Sequence, residues 1–494
     1  MTSDWRRLDP RMLAVTPLRQ LIGLLPLIVV VLVIGVRQDI GDRVYGLLVV
    51  LVVVLAGMLR WVTTRYRITS ERVELRSGLL FRTTRSIPRD RIRSVDLTAG
   101  PVHRIFGLSV VKIGTGERTA GDASRELALD AVSAAEADRM RQRLLERLDA
   151  GDLDQSRAAI APRPTELAAL DWSWLRFAPL TASSLVAVGA VVGAFGQLIG
   201  DVGADLADLG GVRETLSTAP LWLGIAAFTV LALVIALVGS VLIFVEAWWG
   251  FRLVREPGGT LRIRRGLLTT RSVSLEERRL RGVEVAEPLL LRVGRGARTA
   301  AVATGLGGGS GRGALLPPAP RDEAHRVAGV VLTEDLSPTC TALRRHPVAA
   351  LRRRLGRAVV PVLVAAAVLW LAPVPTWVAW ATLGLLPVTV LLALDSYRNL
   401  GHALTSRYLV TRHGTGVRDT VALQRSGVIG WTVSQSFFQR RAGLVTVAAT
   451  TAAGSGAYHV IDVQTADGLA VADHAVPGLL RPFLHHDAAA PGAH

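Results

Sequence analysis

Gly78-Leu79-Leu80, Thr84-Arg85-Ser86 and Arg91-Ile92-Arg93-Ser94-Val95 follow one another in the N-terminal part of the chain. The same pattern returns as Gly266-Leu267-Leu268, Thr270-Arg271-Ser272 and Arg279-Leu280-Arg281-Gly282-Val283, and the spacing from the glycine to the last valine is identical. Recurrence at this scale indicates an internal structural repeat, which decides the architecture before any single motif does.

A third, more divergent copy is predicted near the C-terminus. It opens with Arg407-Tyr408, as the first opens with Arg65-Tyr66, and closes with Arg440-Arg441-Ala442-Gly443-Leu444, as the first closes with Arg104-Ile105-Phe106-Gly107-Leu108. We refer to residues 65–108, 250–295 and 407–444 as copies one, two and three. Chance similarity in a chain rich in Arg, Val and Gly is the alternative explanation.

The composition favours a membrane protein. Of 494 residues 50% are hydrophobic, the formal net charge is +17, and Lys112 is the only lysine, so nearly every cation is arginine. A strongly basic chain meets either nucleic acid or an anionic membrane surface, and the apolar segments favour the membrane and exclude nucleic acid as the expected partner. The single Cys340 rules out an intramolecular disulfide, and no CxxC, Cys/His cluster or HExxH is present, so we expect no metal and no cofactor.

Six apolar stretches are predicted to cross the membrane, because each is long enough, or nearly so, to span about 30 Å of hydrocarbon as a helix. They form three pairs, at residues 20–36 and 44–60, 176–199 and 219–245, and 358–372 and 377–394. Buried core helices are the alternative for the short first and third pairs. Glu246 and Asp395 fall at span ends, so the sequence shows no intramembrane charge relay of the kind that transporters carry.

Charge predicts the topology. The connection inside the second hairpin is acidic, whereas arginines crowd the entrance to the third hairpin, for example Arg352, Arg353 and Arg354. Since positively charged loops stay on the cytoplasmic side, both termini and all three copies are expected in the cytoplasm of a multi-pass inner-membrane protein.

Copy one has the pattern of a strand meander closed by a helix. Residues 66–69 and 72–76 alternate in polarity, as half-buried strands do, and residues 80–87, 92–97 and 108–113 continue the meander. Ser133 and Glu136 form a capping-box pattern that opens a helix with Met140 on its apolar face. The fold class predicted is therefore α+β, with six membrane helices in three hairpins, each followed by an antiparallel β unit with a C-terminal helix.

The Arg-Tyr opening after a span pair, the Gly-Leu-Leu hairpin and the Arg-Ile-Arg-Ser-Val strand together resemble the bacterial pleckstrin-homology-like membrane proteins of the YdbS/YdbT type. The resemblance implies a split, bent antiparallel sheet with a C-terminal helix in each unit, and a place in the cytoplasmic membrane. It carries little biochemistry, and fold alone does not transfer function. Copy three departs from the pattern where Gly427-Val428-Ile429 replaces Arg91-Ile92-Arg93.

The domain boundaries follow from these patterns. They are 1–61 for the N-terminus and first hairpin, 62–150 for the first pleckstrin-like unit, 151–174 for a linker with a short interfacial helix at 166–170, 175–248 for the second hairpin, 249–335 for the second unit, 336–357 for a basic linker, 358–395 for the third hairpin, 396–487 for the third unit and 488–494 for a disordered tail.

Arginines of the central hairpins are the candidate site for an anionic headgroup or a protein partner. They are Arg82, Arg85, Arg89, Arg91 and Arg93 in copy one, and Arg271, Arg278, Arg279 and Arg281 in copy two. Alternate positions such as Arg91 and Arg93 share one face of a strand, where each cation near an anionic leaflet contributes about 1 kcal/mol. A solvated charged face that only reflects the positive-inside bias is the alternative.

No catalytic constellation stands out, so we expect a protein that is not an enzyme. The glycine-rich run 307–313 lacks the Gly-Lys-Ser/Thr ending of a phosphate loop and is interpreted as a connecting loop. The function predicted is a scaffold or adaptor that contacts anionic membrane lipid or a protein partner, for instance a smaller protein of the same family, in envelope homeostasis or stress resistance. The alternative is a subunit of a membrane transport or enzyme complex whose active chain is a partner.

Overall fold

The computed structural model describes residues 5–12, 63–69, 71–78, 82–92, 94–114, 127–146, 164–181, 221–305 and 313–480, together with a few isolated positions. The chain divides into two compact units. The first contains the described residues up to Leu170 and Glu246–Arg279, and the second contains Asp171–Val245, Leu280–Thr304 and the described residues from Gly313 onward. Copy two therefore contributes its first strands to one unit and its remaining strands to the other.

The elements up to β11 alternate short strands with helices, and all of them except residues 221–245 of α3 belong to the first unit. In chain order they are β1 (Arg6–Arg7), β2 (Arg65–Ile68), β3 (Arg72–Ser77), β4 (Thr83–Pro88), β5 (Ser94–Ala99), α1 (Pro101–Ile105), β6 (Leu108–Gly114), β7 (Leu127–Ser133), α2 (Ala134–Glu146), β8 (Thr165–Ala169), α3 (Leu221–Trp248), β9 (Arg252–Glu256), β10 (Thr260–Arg265) and β11 (Thr270–Glu276).

Further strands and helices follow in the second unit. Its elements are β12 (Leu280–Pro288), α4 (Leu289–Val293), β13 (Gly296–Ala303), β14 (Ala314–Pro320), α5 (Arg321–Val331), α6 (Val348–Leu371), α7 (Thr376–Leu383), α8 (Leu386–Arg398), β15 (Gly401–Leu404), β16 (Tyr408–His413), β17 (Val417–Gln424), β18 (Gly430–Ser434), α9 (Phe437–Arg441), β19 (Leu444–Thr450), β20 (Ala457–Gln464) and α10 (Thr465–Ala475).

The described residues of each unit form two antiparallel sheets. In the first unit these are a four-stranded sheet, β1-β2-β3-β4, and a seven-stranded sheet, β7-β6-β5-β11-β10-β9-β8. In the second unit they are a six-stranded sheet, β14-β13-β12-β17-β16-β15, and a three-stranded sheet, β18-β19-β20. The strands of one copy are thus split between two sheets, and the later strands of a copy form one sheet with the first strands of the next copy.

The glycine of each repeated hairpin has a positive φ angle that the turn requires. Gly78, Gly266 and Gly414 have φ values of 110°, 109° and 120°, a region that only glycine enters without strain. A Cβ on Gly266 would lie 2.0 Å from the carbonyl oxygen of Thr269, so no other residue fits the turn. This explains why a glycine recurs between the second and third strands of each copy.

The core of the first unit lies between its two sheets and α2. Val73, Val95, Val111 and Leu129 are fully buried there, and β5 and β6 each bury four consecutive residues. The predicted helix after the strands is confirmed as α2: the backbone N–H of Glu136 donates to Ser133 Oγ at 3.3 Å, and Met140 joins the core.

Three helices are long and apolar enough to cross a membrane within the described part of the chain. They are Thr229–Trp248 in α3, Val348–Leu371, and Thr376–Arg398, which contains α7 and α8. At the third predicted hairpin, two apolar helical segments are separated by residues 372–375. The predicted spans 20–36 and 44–60 and most of 176–199 lie outside the described residues, so six spans in three hairpins is not what the described chain shows.

Three local predictions are corrected. The helix expected at 166–170 is the strand β8, because it pairs with β9 along the open edge of the seven-stranded sheet. The span expected from residue 176 does not begin there, since Trp172–Leu180 is a 3-10 helix that buries Phe177. Helix α6 begins at Val348 within the expected linker 336–357, because Ala350 packs against Leu400 and Leu444 and extends the helix beyond its apolar span.

Candidate anion-binding cleft

The predicted arginine set is divided among several places. Arg82 and Arg85 are exposed at β4, while Arg89 and Arg91 lie in the 3-10 turn Arg89–Arg91 that follows. The strand expected from residue 92 begins at Ser94, so Arg91 does not project from a strand face as predicted. Arg93 lies outside the described residues. The common face of copy one that the sequence predicted is therefore not formed by Arg91.

The arginines of copy two occupy three environments. Arg278 and Arg279 lie in the 3-10 turn Glu277–Arg279, where Arg279 Nε pairs with Glu276 at 2.9 Å and both side chains are largely buried. Arg281 lies on β12 in the second unit, where its side chain covers Gly427. Arg271, on β11 of the first unit, lines a cavity.

That cavity is a cleft of about 240 Å³ in the first unit, at one end of the seven-stranded sheet. It is lined by residues of the neighbouring strands β6, β5, β11 and β10, by Arg104 of α1 and by the first turns of α2. Its charged lining consists of four arginines and one carboxylate, Arg104, Arg262, Arg264, Arg271 and Asp138. Arg271 comes from the predicted set, whereas Arg104, Arg262 and Arg264 were missed.

The sheet fixes the arginines of β10 in place. Arg262 and Arg264 are two residues apart and therefore project to the same face, opposite Ser274 and Ser272 of β11. Arg262 is neutralised, since it lies 3.3 Å from Glu256 Oε1 and 3.5 Å from Asp138 Oδ1. Among the described residues, no carboxylate pairs with Arg264, so its charge remains available to a ligand.

The remaining two arginines approach from α1 and from the start of β11. Arg104 is anchored because its guanidinium donates to the carbonyl oxygen of Leu267. Arg271 is exposed and, within the described chain, has no acidic partner. Burial, and to a smaller extent repulsion from the charge of Arg271, lowers the pKa of Arg265 to about 10. The cleft therefore has an excess of positive charge that an anion would relieve.

The turn between β10 and β11 is tied to the end of α3. The carboxylate of Glu246 accepts hydrogen bonds from the backbone N–H groups of Leu268 and Thr269, at 2.8 and 3.0 Å. Arg265 stacks over the Trp248 ring at 4.1 Å. Helix α3 is long and apolar enough to cross a membrane, and Trp248 and Trp249 lie at the end to which this turn is bonded.

A second polar cluster lies in the second unit and is buried. Asp462 has no exposed surface and pairs with Arg353 and Arg354 of α6. His346 Nε2 lies 3.0 Å from His402 Nδ1, and His346 Nδ1 lies 3.3 Å from the carbonyl oxygen of Asp462. Burial lowers the pKa of both histidines, and that of His402, which also lies beside His346, falls to about 4.

The cluster around Asp462 and His346 connects helices and strands of the second unit through hydrogen bonds. Tyr397 Oη of α8 donates to the carbonyl oxygen of His346, and Gln439 Nε2 of α9 donates to Asp462 Oδ1. The network therefore joins the third membrane hairpin to the strands that follow it. Within the described residues no group of three or more His, Cys, Asp or Glu side chains is arranged to hold a metal ion. Scattered charges in the sequence gave no sign of this network.

Antiparallel sheets closed by helices, joined to helices that can cross a bilayer, define a membrane-associated protein with pleckstrin-homology-like domains. The model of the bacterial PH domain family matches residues 19–148 and 352–474, just over half of the chain, so the chain belongs to this family. The resemblance read from copy one is thereby confirmed, and the matched segments also take in copy three.

One relative supports the same class. The chain is 33% identical over 89 residues to the UPF0699 transmembrane protein YdbT of Bacillus subtilis (strain 168), a stretch that covers 18% of this chain and 17% of that relative. No solved structure matches the chain.

Proposed function

We propose that this protein is a non-catalytic membrane adaptor whose arginine cleft binds the phosphate of an anionic lipid headgroup at the leaflet it faces. The observation that carries the proposal is the convergence of Arg104, Arg264 and Arg271 on one cleft, with the charges of Arg264 and Arg271 unpaired among the described residues. Like charges repel when they are collected in this way, and a bound anion removes the cost.

The size and chemistry of the cleft favour a phosphate group. At about 240 Å³ it is smaller than pockets that enclose a drug-sized ligand, but it accommodates a phosphate and its first carbons. The planar guanidinium pairs two phosphate oxygens at once, which makes arginine well suited to this contact. Asp138 is the one acidic side chain among the described residues that line the cleft, and Arg262 already lies close to it.

The position of the cleft favours a lipid over a soluble phosphate. The turn beside it is bonded to Glu246 at the end of α3, and two side chains near it are apolar and exposed. Leu268 is 56% exposed at the tip of the turn, and Ile105 is 78% exposed next to Arg104. Exposed apolar side chains beside arginines are typical of surfaces that enter the headgroup region of a bilayer.

The finer membrane arrangement is also part of the proposal. We infer six spans in three hairpins, with both termini and the pleckstrin-like units on the cytoplasmic side of the inner membrane. The arginines near the start of α6, including Arg344, Arg345 and Arg357, support this orientation, because basic segments are retained in the cytoplasm. An adaptor in this position would hold a protein partner at the leaflet, with each internal copy contributing surface.

The full chain is needed for the test, because the cleft draws on residues from copies one and two. The protein is reconstituted in phosphatidylcholine nanodiscs and titrated with short-chain phosphatidylglycerol, short-chain phosphatidylcholine or inorganic phosphate, with binding followed by calorimetry. Phosphatidylglycerol is expected to bind, with an affinity that falls as salt is raised. The double variant Arg264→Gln, Arg271→Gln is expected to weaken it at least tenfold, since a charge-assisted hydrogen bond contributes about 1.5–3 kcal/mol.

A matched control separates the cleft from general basicity. Arg82→Gln, Arg85→Gln removes the same charge from exposed positions at β4 and should leave the affinity within about twofold, a few tenths of a kcal/mol. Equal losses in the two double variants would show a diffuse electrostatic surface and reject the cleft. Binding of inorganic phosphate as tight as that of phosphatidylglycerol would reject the lipid as the ligand.

A further inference from the structure

The two junctions between consecutive copies have the same register. In the first unit Val95, Asp96 and Leu97 of β5 lie opposite Ser274, Val273 and Ser272 of β11. In the second unit Val283, Glu284 and Val285 of β12 lie opposite Ala422, Val421 and Thr420 of β17. When the copies are aligned on their 3-10 turns, at Arg89–Arg91, Glu277–Arg279 and Arg425–Gly427, these pairs occupy equivalent positions. The junction is therefore a reproducible way for one copy to pair with the next.

The first and last of the three copies each have one strand that is equivalent to a junction strand but lacks the junction partner among the described strands. Strand β4 is the copy-one equivalent of β11 and β17, and among the described strands it pairs only with β3. Strand β18 is the copy-three equivalent of β5 and β12, and in the described chain it pairs only with β19. Thus β4 lacks the partner strand that a preceding copy would provide, and β18 lacks the partner strand that a following copy would provide.

The exposure of the equivalent residues shows the same difference. Val433 of β18 is 44% exposed, whereas its equivalents Leu97 and Val285 are 9% and 0% exposed within the paired junctions. On β4, Thr83, Thr84, Arg85 and Ser86 are all exposed, whereas Val273 and Val421 are buried at the positions equivalent to Arg85. Strands β4 and β18 are therefore exposed at the positions that are buried in the paired junctions.

Both edges are able to accept another strand. Gly430–Ser434 contains no proline, lysine or other charged residue, the residues that commonly protect a free edge. Strand β4 carries Arg85 and ends at Pro88, and the proline lies beyond the residues that would face Gly430–Ser434. The sheet sizes are complementary as well. The three strands that end at β18 and the four that end at β4 would together form a seven-stranded sheet, the size of the sheet that already joins copies one and two in the first unit.

We propose that β18 of one molecule pairs with β4 of a second copy of this chain and so rebuilds the internal junction between molecules. The shared register places Trp431 opposite Ser86, Thr432 opposite Arg85 and Val433 opposite Thr84. Such strand addition derives its affinity from main-chain hydrogen bonds. The contact is head-to-tail, so a pair closes when each molecule gives its β18 to the other's β4. The proposal is independent of the anion-binding cleft.

Cysteine crosslinking tests the register in native membranes. Cys340 is exposed and is the single cysteine, so it is first replaced by serine. One tagged chain then carries Thr84→Cys, and a differently tagged chain carries Val433→Cys. Co-expression and mild oxidation should give a disulfide-linked dimer that contains both tags. A matched pair, Ser86→Cys with Ser434→Cys, is equally exposed but three positions out of register, and should crosslink at least fivefold less.

Charge reversal provides a second measurement that does not depend on disulfide geometry. Opposed like charges destabilise a strand pair, and opposite charges stabilise it. In full-length protein in mild detergent, Thr84→Arg with Val433→Arg should abolish the dimer seen by light scattering, whereas Thr84→Glu with Val433→Arg should restore it. All of these positions are exposed, so the variants should fold.

Three outcomes would overturn the proposal. The first is the absence of a dimer containing both tags when a single chain carrying both Thr84→Cys and Val433→Cys forms an intramolecular disulfide. This result would mean that β18 pairs with β4 of the same molecule. Another is crosslinking of Val433→Cys to a different protein in place of the second copy. The third is a molar mass of the protein in detergent, measured by light scattering, that is the same for the wild type and all of the charge variants.

Discussion

Val95 on β5 lies directly opposite Ser274 on β11, although the two residues belong to different copies of the repeated pattern. The pairing makes the sheet of the first unit continuous across copies, and it buries both strands. A single copy therefore does not complete its own sheets.

Proline in β11 is expected to destabilise the first unit. Val273→Pro removes a backbone N–H from a strand that is paired on both sides, β10 and β5, and should lower the free energy of unfolding by roughly 2–3 kcal/mol. Thermal unfolding of the full chain in detergent measures the loss. Thr165→Pro is the control, because it is the exposed first residue of the edge strand β8, where proline is tolerated. An equal loss for the control would contradict a central role for β11.

Alanine at Gly266 is expected to disrupt the turn beside the cleft. The φ of 109° and the carbonyl oxygen 2.0 Å from an added Cβ make the substitution incompatible with the turn. The cost should exceed about 1 kcal/mol, and phosphatidylglycerol binding should weaken, because Arg264 and Arg271 flank the turn. Gly239→Ala is the matched control, since nothing lies within 4 Å of a Cβ added to that helical glycine. If the two variants unfold alike, the turn does not need glycine.

Acid is expected to destabilise the second unit through its buried histidine pair. Burial lowers the pKa of His346 and lowers that of His402 to about 4, below the value of 6.5 for an unfolded chain. The unfolded state therefore binds more protons between these values, so stability is retained above about pH 6.5 and is lost as the pH falls toward 4. The full contribution of His402 is on the order of 3 kcal/mol.

The measurement is the unfolding temperature as a function of pH for wild type and His402→Asn. The variant should flatten the profile between pH about 6.5 and about 4. His474→Gln, at an exposed position, serves as the control and should leave the profile unchanged. A wild-type profile that is already flat in this range would rule out the buried pair as the acid-sensitive element.

Neutralising Asp462 is expected to destabilise the connection between the third hairpin and its strands. Asp462→Asn keeps a residue that tolerates the φ of 59°, but it leaves Arg353 and Arg354 without their buried counter-charge. Removal of one partner from a buried pair costs about 3–5 kcal/mol. Glu323→Gln breaks the surface pair with Arg326 and should cost less than about 1 kcal/mol. Limited proteolysis of the full chain compares the two.

Sequence patterns predicted most of the local structure of copy one. Alternating polarity predicted β2 and β3, continuation of the meander predicted β6, and the capping residues Ser133 and Glu136 predicted the start of α2. These features are local, since each depends on residues a few positions apart. Prediction was wrong at 166–170, because a short apolar segment becomes a strand or a helix according to the edge that it meets, and β9 provided that edge.

The candidate site divides in the same way. The sequence alone determined that this is an arginine-rich chain with membrane-crossing segments and recurring hairpins, because hydropathy, charge and turn glycines are properties of the local sequence. Only the tertiary structure decided that Arg271 is grouped with Arg104 and Arg264, and that Asp462 meets Arg353. Those contacts join residues far apart in the chain, and their partners are selected by sheet register and packing, which local sequence patterns do not record.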